Sequence, residues 1–134
     1  MIDDPALVVL RELALALPET RETTTFGHPT FQVGTKTFAV LDEYRGLRCI
    51  AFKAERAAQR KLLRDARYFR APFGGSQGWT CLTIGEARPG AAIRIRRPEL
   101  RRLLHESWML FANGRQRAAL ASPTSRPKAR STRK

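Results

Sequence analysis

Very little in this 134-residue sequence is suited to covalent or metal chemistry. It has only two cysteines, Cys49 and Cys81, each inside an apolar run and neither in a CxxC spacing. That excludes a zinc-type cysteine cluster and leaves two reduced, buried thiols as the expectation. The two histidines, His28 and His105, have no third ligand at a recognisable spacing, so no metal site and no cofactor is expected. Acids are scarce, with 12 Asp and Glu against 25 Lys and Arg, and the central region offers no paired general acid and base. Ser76 and Ser107 lack a neighbouring base with an orienting acid. The glycines of Gly74-Gly75-Ser76-Gln77-Gly78 lack the Lys-Ser/Thr ending of a phosphate-cradling loop. A non-enzymatic protein is therefore expected. Apolar runs stop at five residues, as in Leu13 to Leu17 and Trp108 to Ala112, far short of the roughly 18 to 20 that span a bilayer. Asp3 and Asp4 stand where a secretory signal would be positive, and a cytoplasmic address is the expectation.

What the chain does have is positive charge: a formal net charge of +13, a pI near 11.3, and enough apolar content, 43%, to fold. The charge is unevenly spread. Residues 1–44 are net acidic, residues 45–114 strongly basic, and Arg115 to Lys134 contains no acid at all. After Ser122 the chain has no large apolar side chain, so 115–134 is expected to be a disordered basic tail behind a single domain at 1–114. Tails of this kind attract polyanions by counterion release.

Periodicity predicts the elements. Leu7, Leu10, Ala14 and Leu17 recur at helical spacing after an Asp N-cap and Pro5, predicting a helix from Pro5 to Leu17. Glu19 to Thr25 has no apolar face and reads as a loop or the lead-in to a strand. Phe31–Val33, a Gly34-Thr35 turn and Lys36–Leu41 read as a hairpin; a turn at Asp42–Gly46 and a third strand at Leu47–Lys53 complete a meander. Glu55 to Arg67 reverts to helical period and is markedly basic, Trp79–Ile84 is strand-like, and Ala91–Arg96 is a possible short strand. The last helix starts near Pro98, with Leu100, Leu103, Leu104, Ser107, Trp108 and Phe111 on one face and Gly114 placed to cap it. Strands clustered between helices predict an α+β fold, an antiparallel sheet covered on one face by helices.

Several strings resemble one family in order: His28-Pro29-Thr30-Phe31-Gln32-Val33-Gly34-Thr35-Lys36-Thr37-Phe38-Ala39, then Phe52-Lys53, Gly78-Trp79 and Glu106-Ser107-Trp108. Over roughly residues 5–113 the chain resembles the MmcQ/YjbR family. The resemblance implies a fold similar to CyaY (frataxin-like), also compared with a double-wing DNA-binding fold, and a DNA-binding role. The basic stretch Glu86 to Arg97 departs from the short acidic connection common in such chains, and the tail lies outside the likeness.

The candidate nucleic-acid contacts are Arg56, Arg60, Lys61, Arg64 and Arg67 of the second helix, then Arg94, Arg96, Arg97, Arg101 and Arg102. The tail adds Arg126, Lys128, Arg130, Arg133 and Lys134, while Lys36 and Lys53 at strand ends complete the set. All would meet phosphates, and nothing places a side chain at a base edge. DNA or another polyanion is the expected partner. His28, in a loop ahead of a strand, is a candidate ligand contact or a hydrogen-bonding loop residue, and Trp79 a stacking platform or a buried strand residue. The rival class is a protein-interaction or small-ligand-sensing domain whose basicity serves solubility. Frataxin-like iron handling, a third reading, would use the acidic Asp3, Asp4, Glu12, Glu19 and Glu22.

Overall fold

A computed structural model describes residues 4–121. The first helix, α1 (Pro5–Ala14), is capped by Asp4, whose Oδ1 accepts the Ala6 N–H at 3.0 Å. It ends before the expected Leu17. The Thr20 hydroxyl takes up the Ala14 and Leu17 carbonyls, and Pro18 disfavours helical geometry in the residue before it.

Six strands follow: β1 (Thr20–Thr25), β2 (His28–Val33), β3 (Lys36–Tyr44), β4 (Leu47–Lys53), β5 (Tyr68–Arg70) and β6 (Trp79–Glu86). They form one antiparallel sheet in the order β1-β2-β3-β4-β6-β5. The α+β class expected from the sequence is the class observed. The stretch Glu19–Thr25, expected as loop or lead-in, supplies the edge strand β1, because four threonines favour extended backbone and an edge needs no apolar face. Phe26-Gly27 and Arg45-Gly46 have positive φ at both positions, the geometry of the tight turns whose twist matches hairpin strands.

Between β4 and β5 lies α2 (Arg56–Leu62), shorter than the expected helix to Arg67. The chain turns at Leu63–Asp65, the Asp65 carboxylate accepts the Arg67 N–H, and Tyr68-Phe69-Arg70 pair with β6 instead of extending the helix. A 3-10 turn at Gly75–Gln77 precedes β6. Gly78 sits at φ +106 with the Ala54 carbonyl where a Cβ would be, so only glycine fits. Ala91–Arg96 is not a strand. It has no regular structure and is joined to β6 by one backbone bond, Arg94 N–H to the Ile84 carbonyl at 2.8 Å.

The long helix α3 (Arg97–Phe111) buries Leu100, Leu103, Leu104, Ser107 and Trp108. With α1 it packs on the face of the sheet that carries Phe31, Phe38, Ile50, Phe52, Leu82 and Ile84. The Ser107 hydroxyl donates to the Phe38 carbonyl at 2.7 Å and accepts the Lys53 N–H at 3.0 Å, tying α3 to β3 and β4. Gly114 does not cap α3. It opens a further helix, α4 (Gly114–Ala121), while Asn113 and Gln116 cap each other reciprocally, side chain to backbone N–H. Residues 115–121 therefore belong to an ordered helix and not to the expected disordered tail. The remainder of that segment, 122–134, lies outside the described residues.

On the other face Cys49, Ala51 and Cys81 form a smaller cluster with Val40, Phe69, Ala71 and Trp79, and among the described residues a helix reaches it only through the Trp79–Phe111 ring contact. Both thiols are free and buried, and the hydrogen bond with Cys81, then burial, push the Cys49 thiol well up.

Candidate nucleic-acid interface

The second helix is fixed from its inner side. Gln59 is buried, and its amide donates to the Gly75 carbonyl (2.9 Å), the Trp79 carbonyl (3.2 Å) and the Thr80 hydroxyl (3.1 Å). Ala58, Leu62 and Leu63 pack on the main core. A helix held along that side leaves Arg56, Arg60, Lys61 and Arg64 exposed. The same logic shapes the run into α3, where Ile93 and Ile95 pack inward while Arg94 and Arg96 are exposed. On α3 itself Arg101 and Arg102 are exposed between buried leucines. The two sets meet: Lys61 and Arg102 line one cleft of about 340 Å³ between α2 and α3. Among the described residues none of these eight cations has a carboxylate at ion-pair distance.

Arg67 sits differently from its predicted role. Its guanidinium donates to both Asp65 and Glu99, and the Tyr68 hydroxyl donates to Glu99 at 2.5 Å. The hydrogen bonds to Asp65 and then Glu99 raise the Arg67 pKa further. Beside that guanidinium Asp65 falls to about 2, and Glu99 is lowered although burial opposes it. Burial, then Glu99, push the Tyr68 hydroxyl up. Arg67 is therefore committed to an internal network, a pattern the Asp-x-Arg spacing of Asp65 and Arg67 hints at. The partner Glu99, 34 residues on from Asp65, gives no local signal. The network takes up most of the charge of two acids, although Arg96 also lowers both Asp65 and Glu99, and Glu55 and Glu106 remain in the α2–α3 seam.

Other predicted contacts are also spoken for. Arg97 pairs with Glu12 at 2.9 Å. Lys53 lays its ammonium over the Phe111 ring, 5.3 Å from the centroid. Lys36 is exposed as the first residue of β3, with β4 standing between it and β6 in the sheet order. Arg126, Lys128, Arg130, Arg133 and Lys134 lie outside the described residues. His28 is the first residue of β2, and its Nε2 lies 3.4 Å from the Asp42 carboxylate. The Trp79 ring packs on Phe111, with 6.0 Å between centroids, and on the small cysteine cluster.

Of the acids singled out for iron, Asp3 lies outside the described residues and the other four do not gather. Asp4 pairs with Arg48, Glu12 with Arg97, Glu19 with Arg115 and Glu22 with Arg11. Asp4 and Glu19 are both lowered: at Asp4 burial pulls upward and the Arg48 contacts outweigh it, while at Glu19 the bond from Arg115 leads. Among the described residues no three His, Cys, Asp or Glu side chains come together as a metal site. Nor is any described helix long and apolar enough to cross a membrane.

Two comparisons with known proteins find a match. A protein-family model, YjbR, matches residues 15–110. The chain is also similar to a crystal structure of Deinococcus radiodurans protein DR2400, described with a DUF419 domain. That likeness has a TM-score of 0.64 and 19% identity, covering 88% of this chain and 89% of that one. It speaks to the fold alone. No curated protein matches the chain.

Proposed function

The chain belongs to the YjbR family, and we propose that within that α+β frame it is a non-enzymatic, cytoplasmic nucleic-acid-binding protein that holds duplex phosphates on α2 and the approach to α3. One observation carries the reading. Arg56, Arg60, Lys61, Arg64, Arg94, Arg96, Arg101 and Arg102 are exposed without an ion-pair partner among the described residues, while Arg11, Arg48, Arg67, Arg88, Arg97 and Arg115 are matched to carboxylates. Of the other exposed arginines, Arg21 bonds Gln32, Arg117 bonds the Met109 carbonyl and Arg45 lies over the Tyr44 ring, and Arg70 at the end of β5 joins the unmatched set. Unmatched guanidinium groups lose nothing of an existing pair when a phosphate arrives, and each phosphate neutralised releases counterions. Cations that meet phosphates fix position and carry no sequence preference; the exposed aromatic rings, Phe26 between β1 and β2 and Phe73 between β5 and β6, are not among these residues. A cytoplasmic setting suits two buried, unpaired thiols.

The test is the salt dependence of binding to a short DNA duplex. If about six phosphates are neutralised, log affinity falls against log salt with a slope near −5. A slope near zero, or no binding at about 50 mM salt, rejects the reading.

A further inference from the structure

A second cleft lies beyond the end of α2 and shares one residue, Arg94, with the proposed phosphate-binding set. It has a volume of about 520 Å³, within the range of roughly 300–1,000 Å³ typical of small-molecule sites. Leu47, Ala66, Thr83, Ala91 and Ala92 supply a largely apolar lining. Three arginines share it: Arg67, committed to Asp65 and Glu99; Arg88, paired with Glu86 at 2.5 Å; and Arg94, which has no carboxylate at ion-pair distance among the described residues. Counting the lining residues, three guanidinium groups face one acid, Glu86.

The wall made by residues 87–94 is pinned rather than loose. Ala87 N–H donates to the Gly46 carbonyl at 2.8 Å, Ala91 N–H to Arg88 at 3.1 Å and Arg94 N–H to Ile84 at 2.8 Å. Gly85 lets the wall approach, because a Cβ there would meet the Ala92 carbonyl at 2.5 Å. A preformed wall spares a ligand the entropy of ordering it. An apolar lining with one uncommitted guanidinium matches a small molecule with an apolar body and one anionic head. We propose that this cleft binds a small organic anion of that class, with Arg94 holding its carboxylate, sulfonate or phosphate group.

The probe is 8-anilinonaphthalene-1-sulfonate, titrated into the full chain and read by its fluorescence and by backbone amide shifts. The wild type is expected to bind one probe saturably, with shifts centred on residues 47, 83–88 and 91–94. Ala91→Trp, which fills the cleft, should abolish binding, and Arg94→Gln should weaken it about tenfold, the size of one charge-assisted contact. Arg60→Gln, on α2, should leave it unchanged, and the uncharged N-phenyl-1-naphthylamine should not distinguish Arg94→Gln from wild type. If Ala91→Trp does not fold, the wild-type shift map decides alone. Shifts confined to α2 or to the cysteine face overturn the proposal, as does equal weakening by Arg60→Gln and Arg94→Gln. DNA is absent throughout, so the result is independent of the nucleic-acid reading.

Discussion

Arg60 and Arg67 stand seven residues apart and carry the same charge, yet the fold gives them opposite employment. Arg60 is exposed on the outer side of α2 with no carboxylate in ion-pair reach among the described residues, whereas Arg67, just past the helix, is locked between Asp65 and Glu99 with Tyr68 bonded to the same Glu99. Around Arg67 charge serves the fold; along α2 it has no carboxylate partner among the described residues, and in the proposed function a phosphate takes that place. Net charge does not separate the two; pairing does.

Breaking the internal network should have the largest effect on the fold. Glu99→Ala leaves the Arg67 guanidinium with Asp65 alone and the Tyr68 hydroxyl without its acceptor, and is expected to cost about 2 kcal/mol in chemical denaturation. Glu99→Gln should recover part of that, since it still accepts from Tyr68. A loss under about 0.5 kcal/mol would place Glu99 with the ordinary surface pairs.

Acid should act through the same network. Asp65, lowered to about 2, and Glu99, also lowered, stabilise the fold fully above their unfolded values near 4. That contribution disappears as pH falls from about 4.5 toward 2. Thermal melts across this window should show wild-type stability dropping faster than that of Arg67→Gln; parallel curves would show that Arg67 does not set these carboxylates.

On α2 the expectation reverses. Arg60→Gln should change stability by less than about 0.5 kcal/mol while lowering the magnitude of the DNA salt slope by about one. An unchanged slope would remove Arg60 from the interface. Smallest of all should be Glu22→Gln, which breaks an exposed pair with Arg11 and is expected to cost a few tenths of a kcal/mol, within the usual range of about 0–1.

Much of the fold was legible because its signals are local. The α3 leucine spacing, the Gly34-Thr35 turn and the β4 run each state their own structure, and the ordered strings point to the YjbR family. Where sequence reading went astray, a contact from far along the chain decided. The periodic stretch to Arg67 breaks because Tyr68–Arg70 pair with β6, and Thr20–Thr25 becomes a strand because β2 lies beside it. Asn113 and Gln116 were a readable capping pair, obscured by attention to Gly114 as a stop. For the candidate site, the exposed basic face of α2 followed from periodicity. The withdrawal of Arg67 and Arg97 did not, since Glu99 and Glu12 reach them only through tertiary packing.

The central claim is that pairing, not total charge, selects the phosphate-binding surface. It is tested most directly by two variants of equal net charge. One carries Arg56, Arg60, Lys61 and Arg64 all changed to Gln; the other changes Arg11, Arg88, Arg97 and Arg115 to Gln, each of which is paired to a carboxylate. Duplex affinity at about 100 mM salt should fall by roughly 10²-fold or more in the first and by less than about threefold in the second. Equal losses in the two variants would show that bulk charge alone draws the polyanion, and would contradict the account.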